Sequence, residues 1–273
     1  RPRLGAMFSA LSHRNFRLFF FGQFVSLTGS WMQNTAQAWL VYRLTRDPLM
    51  LGLVALVGQF PVLILGFYAG FAVDHADHLR LVKRTQFLAM AQAAMLALLT
   101  WGGHIEVWHV FALSLSLGVV NAFDMPARQV LIGELVPVDH RHNAIALNST
   151  VVNASRIIGP ALAGLAIAYA GEAGCFGLNA LSYVAVLIAL KAMRDVRQPP
   201  PPAPRGGPWQ EIGDGMSYAF GHEPIRLVLM ALTVVGLVGL PIYTLMPVFA
   251  EDVLHSGVKG LGILSSFSGV GAM

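Results

Sequence analysis

Between Leu18 and Tyr42 the chain runs for 25 residues without Asp, Glu, Lys or Arg, and comparable apolar runs recur along its 273 residues. About 20 mostly apolar residues in a helix cross a hydrocarbon core of roughly 30 Å. The runs that meet this length are Leu18 to Tyr42, Pro48 to Val73, Thr85 to Ile105, Val107 to Phe123, His142 to Gly171, Ala173 to Leu190 and Leu227 to Ala250, and an eighth opens at Gly260. Only 12% of residues are charged, half the share of a soluble domain, and the runs lack the polar face of a surface helix. The absence of alternating polar positions argues against an outer-membrane barrel. The expectation is therefore an all-α, multi-pass membrane protein.

The basic residues fix its orientation. With the N-terminus taken as cytoplasmic, the inner segments hold Arg1, Arg3, Arg14, Arg17, Arg80, Lys83, Arg84, Arg128, Arg141, Lys191, Arg194, Arg197, Arg205 and Arg226, whereas outer connections keep Arg43, Arg46 and Lys259. Fourteen against three is the asymmetry that orients helices during insertion, which accounts for the net charge of +4 without nucleic acid as a partner. The single Cys175 excludes an internal disulfide. Ala36-Gln37-Ala38 resembles a signal-peptide cleavage site, but the run before it is too long and too polar, and further spans follow. The lack of an initial Met and the end inside a span read as a fragment at both ends.

Six spans fill residues 1–194. The Gln198 to Pro208 stretch, with its run of prolines, favours an extended spacer. After it Trp209, Ile212, Met216 and Phe220 recur at three- and four-residue intervals with Glu211 and Asp214 off that stripe, the pattern of a short amphipathic helix on the membrane surface. The division expected is a six-helix bundle at 1–194, a cytoplasmic linker and amphipathic helix at 195–224, and the start of a second bundle at 225–273.

Polar side chains in the spans mark inward faces, because lipid offers them no partner. In the first span Gln23, Ser26, Ser30, Gln33, Asn34 and Gln37 fall mostly three or four apart, on one side of a helix. They line a hydrated cavity or bond neighbouring helices. In the fifth span Asn153 and Arg156 are three apart, and Arg156 lies 15 residues from both Arg141 and Gly171, near mid-membrane at about 1.5 Å of rise per residue. An Arg there costs about 2.5 kcal/mol or more against lipid, so it faces protein or water. Two roles stand open: attracting an anionic or hydrogen-bond-accepting group of a substrate, or bracing another helix. Pro61, Pro160, Pro241 and Pro247 interrupt apolar runs and should bend them.

Three motifs carry a resemblance. Gly70-Phe71-Ala72-Val73-Asp74-His75-Ala76-Asp77-His78-Leu79-Arg80 resembles the turn between the second and third helices of the major facilitator superfamily. Ser155-Arg156-Ile157-Ile158-Gly159-Pro160-Ala161-Leu162-Ala163-Gly164 resembles that superfamily's antiporter motif in the fifth helix. Asn121 to Gln129, with Glu134 to Pro137 and Asn143 to Asn148, is similar to the branch that contains the enterobactin exporter. The resemblance implies a twelve-helix, monomeric secondary transporter without cofactor or metal, working by alternating access with protons as the coupling ion and a siderophore or drug as its small-molecule substrate, in the inner membrane. It implies an antiporter motif in Gly159, Pro160 and Gly164 and a conformational latch in Gly70, Asp74, Asp77 and Arg80. Asp124 and Arg128, four apart, are placed to pair in the same latch. The chain departs from the pattern at His75 and His78, where the family carries Arg, and at Asp77, where it carries Gly. No carboxylate lies deep in the seven spans.

Two rival classes are a membrane enzyme and a transport-inactive scaffold. No His-Glu-x-x-His arrangement and no Gly-x4-Gly-Lys-Ser/Thr phosphate loop occurs in the sequence, which argues against metalloprotease and nucleotide-driven pump chemistry.

Overall fold

The computed structural model describes residues 8–196 and 208–271. A short turn, Ser9–Ser12, leads into α1 (Arg14–Thr45), followed by α2 (Pro48–Asp74), α3 (His78–Trp101) and α4 (Val107–Glu134). Arg141–Ala192 is assigned as one helix broken at Gly171, whose φ of 66° and ψ of −176° leave helical space. Only glycine adopts that backbone without strain, and the chain folds back there into α5 (141–170) and α6 (172–192), with Cys175 against the carbonyl of Ala163. After the proline-rich stretch, whose residues 197–207 lie outside the described residues, come α7 (Pro208–Gly221), α8 (Glu223–Thr244) and α9 (Gly257–Gly271). Between α8 and α9 stand a short helical turn, Met246–Val248, and one wide turn, Phe249–Val253.

Helix starts follow local chemistry. The Asp47 carboxylate accepts from the Leu49 N–H at 2.9 Å with Pro48 at the first helical position, and Asp77 accepts from the Arg80 N–H at 2.9 Å, so both carboxylates satisfy amides that a helix leaves orphaned. The left-handed Arg46 (φ 52°) ends α1. Two boundaries differ from the apolar runs. The third helix begins at His78, not Thr85, and the fourth continues from Phe123 to Glu134, because helical hydrogen bonding persists where hydropathy has already dropped. The seventh run breaks at Leu245, ahead of Pro247, and does not continue as one helix to Ala250. A helix does form at 208–221, on the stretch read as amphipathic, and its Met216, Tyr218 and Phe220 are exposed.

Among the described residues three helices are long and apolar enough to cross a membrane: Pro48–Asp74, Val107–Glu134 and the folded-back Val138–Ala192. With 32 and 24 residues, α1 and α3 have the length. Their apolar character is diluted by Gln and Ser turned towards each other. The outer faces are apolar: Leu56, Phe60, Leu63, Ile64 and Phe67 form an exposed stripe along α2, and Leu181 and Ile188 project from α6. A surface of this kind suits acyl chains and not water.

The first six helices alternate in direction, so Arg14, Arg17, Arg80, Lys83, Arg84, Arg128, Arg141, Lys191 and Arg194 gather at one end, called here the basic end. One apolar cluster lies towards it, with Phe16, Phe19, Val82, Ala89, Leu131, Val186 and Leu190. A second lies towards the opposite end, with Met32, Leu40, Val54, Leu96, Val110 and Phe176. Glycines set the helix spacing. A Cβ on Gly159 of α5 would meet Trp31 Cβ at 2.5 Å and the Thr28 carbonyl at 2.8 Å, and one on Gly22 would meet Ala189 of α6 at 2.9 Å. Gly159→Val is expected to lower stability by about 1–3 kcal/mol through overpacking. Gly66→Ala, inside a helix with nothing near its missing Cβ, should instead raise it by up to about 1 kcal/mol. Thermal unfolding in detergent compares the two.

Candidate functional site

Between the two apolar clusters runs a polar layer built on α1. The Gln33 side chain donates to Gln92 of α3 at 3.1 Å and accepts from Asn179 of α6 at 2.8 Å. Ser26 faces Gln86 of α3 at 3.4 Å, and Ser30 shares a hydrogen bond with Tyr183 of α6 at 3.1 Å. All but Ser30 are buried, as is Gln23. The hydroxyls and most of the amide groups here thereby find partners that lipid does not offer, with Gln23 Oε1 and Gln92 Nε2 left buried without one, and the layer doubles as helix-to-helix adhesion. Gln23 and Gln33, read from the sequence as cavity candidates, thus lie inside the helix cluster.

The layer continues to the basic end through Asp124 of α4, which is buried and accepts from the Thr85 hydroxyl at 2.6 Å and the Gln86 amide at 2.9 Å. Arg128, one turn on, closes an ion pair with the same carboxylate. Asp124 and Arg128 are therefore brought together, and with α3 rather than with the turn at residues 74–80. In that turn Asp77 pairs with Arg80 at 2.9 Å on the surface, Gly70 has open space where a Cβ would stand, and Asp74 is exposed with no ion pair among the described residues. His75 is exposed, but His78 is buried, with Nδ1 2.7 Å from Glu134 Oε1 at the end of α4 and Nε2 3.0 Å from the Val73 carbonyl.

The remaining polar residues of α1 and α5 take another direction. Asn34 is exposed, and the half-buried Gln37 donates to Ser114 of α4 at 2.9 Å. Asn153 and Arg156 are half-buried on α5. The Arg156 guanidinium lies 5.1 Å from the centre of the Trp31 ring, over its face. Its buried Nε–H has no acceptor, and no carboxylate pairs with Arg156 among the described residues. Stacking over an indole compensates a cation in part. One turn away on the same faces stand Asn34 and Asn153. The structure so sets Arg156, an incompletely satisfied cation, over Trp31, with Asn34 and Asn153 each one turn along its own helix. It can hold an anionic or hydrogen-bond-accepting group; it has no nucleophile or acid–base pair.

The antiporter-like motif faces two ways. Gly159 admits α1, whereas Pro160 and Gly164 admit α9, where a Cβ on Gly262 would meet the Pro160 carbonyl at 2.9 Å. At the end opposite the basic one, the Tyr42 hydroxyl donates to Asp252, and Arg46 reaches Glu251 at 3.3 Å. Arg43 pairs with Glu172 beside the α5–α6 fold-back at 2.7 Å. This end of α1 is thereby tied to the wide turn after α8.

Sequence reasoning did not find Trp31, Gln86, Gln92, Asn179, Glu134 or the Tyr42–Asp252 contact. A search of the third and sixth runs for Gln and Asn at helical spacing would have found the amides. The partner of Arg156 and the long-range contacts leave no sequence signal.

The whole of residues 5–273 matches the family model of transmembrane secretion effectors. A staphyloferrin A transporter of Staphylococcus aureus is 26% identical over 94% of this chain and 64% of its own length. A macrolide efflux protein A of Streptococcus pyogenes is 22% identical over 88% and 60%, and a multidrug efflux pump of Mycolicibacterium fortuitum 25% over 65% and 44%. The chain thus spans less than two thirds of the length of these relatives. Among solved structures, a bacterial homologue of the human lysosomal transporter Spinster, inward-facing and unoccupied, superposes with a TM-score of 0.70 over 98% of this chain and 61% of that one at 15% identity. A peptide transporter in complex with alafosfalin gives 0.56 over 86% and 51% at 18%. Both share the fold, a partial major facilitator bundle.

Asp124→Ala removes the acceptor of two buried side chains and strands Arg128, so it should cost about 3–5 kcal/mol. Asp77→Asn keeps the helix cap and loses the surface pair with Arg80, a change of under about 1 kcal/mol. Denaturant or thermal unfolding of the two variants checks the ranking.

Proposed function

The chain belongs to the major facilitator family of transmembrane secretion effectors, a family of membrane transporters and not of enzymes, and on that premise we propose that it is the larger part of a proton-coupled exporter. The exporter moves a small organic molecule, of the siderophore or drug kind, across the cytoplasmic membrane by alternating access. Residues 1–194 form the first bundle with the N-terminus in the cytoplasm, 195–224 the linker, and 225–273 the opening of the second bundle. The Asn121 to Gln129 and Asn143 to Asn148 strings, similar to the enterobactin exporter branch, support that reading.

The observation that carries this reading is Arg156, halfway along a membrane-length helix, half-buried, with Trp31 beneath it and a buried N–H that finds no acceptor. A cation so placed costs several kcal/mol against lipid. It is sustained by water and solute reaching it between the two halves. Asn34, Gln37 and Asn153 are the companions on that passage. Gln33 supports it from behind by fixing α1 to α3 and α6, and Gln23 is buried on the same helix. The contacts of Tyr42 and Arg46 with Asp252 and Glu251 support closure of the outer side, with the passage open towards the basic, cytoplasmic end. Rocking to the other state breaks these contacts and brings the latch of Gly70, Asp74, Asp77 and Arg80, beside the already formed Asp124–Arg128 pair, against the second half.

Two outcomes test the reading. Arg156→Gln should reduce affinity for an anionic solute at least tenfold in vesicle transport, with Arg156→Lys intermediate because it keeps charge but loses the planar stack; unchanged affinity in both variants removes Arg156 from the site. Arg46→Cys with Glu251→Cys, in a Cys175→Ala background, should lose flux when bridged by a short bifunctional thiol reagent and regain it on reduction. Undiminished flux through the bridged protein contradicts alternating access at that end.

A further inference from the structure

The departure of His78 from the family pattern acquires a chemical meaning from its surroundings. His78 opens α3, and its side chain is 7% exposed; that of Glu134, the last residue of α4, is 6% exposed. Imidazole Nε2 stands 3.0 Å from the Val73 carbonyl. A carbonyl only accepts, so Nε2 must carry a hydrogen. Nδ1 stands 2.7 Å from Glu134 Oε1. With Nε2 already protonated, that contact needs a second hydrogen, either on Nδ1 as an imidazolium facing a carboxylate, or on Glu134 as a carboxylic acid facing the Nδ1 lone pair. In both microstates the pair holds one proton more than neutral histidine plus carboxylate. Glu134 Oε2 is buried without a partner, so the carboxylate depends on that proton for its stabilisation. The other charges facing Glu134 are Asp77 of the same turn and Arg141 at the head of α5, whose guanidinium is occupied with the Gly133 carbonyl at 3.1 Å.

We propose that His78 and Glu134 form a proton-binding site whose shared proton clasps the α2–α3 turn to the end of α4. On release of the proton to water, the Nδ1 lone pair faces a carboxylate oxygen at hydrogen-bond distance, and the two repel. The clasp opens, His78 leaves Glu134, and the turn that carries Asp74, Asp77 and Arg80 is freed. The site lies at the basic end, apart from Arg156, and its ligand is the hydrogen ion itself. Proton occupancy and the position of the turn are thereby one equilibrium, read without any solute present.

The test is made on the full chain in nanodiscs without substrate, with nitrogen-labelled histidine and carboxyl-labelled glutamate, and with a spin label in the turn at Ala76→Cys in the Cys175→Ala background. Expected is an Nε2 protonated throughout, and a proton lost on raising pH from the Nδ1 or carboxyl resonance, in step with a rise in label mobility. Glu134→Gln, whose amide can donate to Nδ1 of neutral His78 and so keep the clasp without the proton, should abolish both the titration and the mobility change. The proposal is overturned if the wild-type pair shows no titration, if its titration leaves the turn unmoved, or if Glu134→Gln responds to pH as wild type does. The reading requires no transport measurement, so a failure here is separate from a failure of the exporter assignment.

Discussion

Lipid cannot hydrogen-bond, and that constraint arranges this chain. Every amide, hydroxyl and charge on a membrane-length helix must find a partner inside the protein or be reached by water. On α1 the constraint divides neighbouring residues between two fates. Gln33 turns inward to Gln92 and Asn179, and Asn34, next in sequence, turns to an exposed face. The inward half bolts α1 to α3 and α6 between two apolar clusters. The other half stands beside Trp31 and Arg156 on the face proposed for solute.

The same division links packing to motion. Interior amide pairs and the bonds of Asp124 with Thr85 and Gln86 of α3 join helices of the first six, and their burial makes them costly to break. The contacts that tie this group to residues 249–262 are of a different kind: side-chain pairs at one end and glycine-to-backbone approaches along α5 and α9. Glycine surfaces hold by shape and carry few directional bonds. Six helices held together by buried bonds, meeting a smooth seam and fastened at one end by polar contacts, suit the alternating access proposed above.

The helical class, the fold-back near Gly171, the basic end and the Asp124–Arg128 pair were legible in the sequence, because each follows from composition or from spacing along one helix. The family motifs were legible for the same reason. The aim of the polar stripe on α1 was not. Helical periodicity places Gln23, Gln33, Asn34 and Gln37 on roughly one side, but some 100° separates adjacent residues, enough for one to meet α3 while the next does not. In the sequence His78 stands out only as a departure from the family's Arg. Its burial depends on α4 continuing eleven residues past Phe123 to bring Glu134 beneath it, and hydropathy carries no record of that extension. Trp31 was silent because an aromatic residue in a span is ordinary until an unpaired cation is found over it.

The division of α1 between interior and passage is tested most directly by single cysteines at positions 33 and 34 in the Cys175→Ala background, challenged in intact membrane with a charged, lipid-insoluble thiol reagent. A thiol at 34 should react and one at 33 should stay protected, with solute slowing the reaction at 34. Protection at 34 equal to that at 33 would put its face against acyl chains, leave Arg156 without a watered passage, and contradict the site and the carrier built upon it.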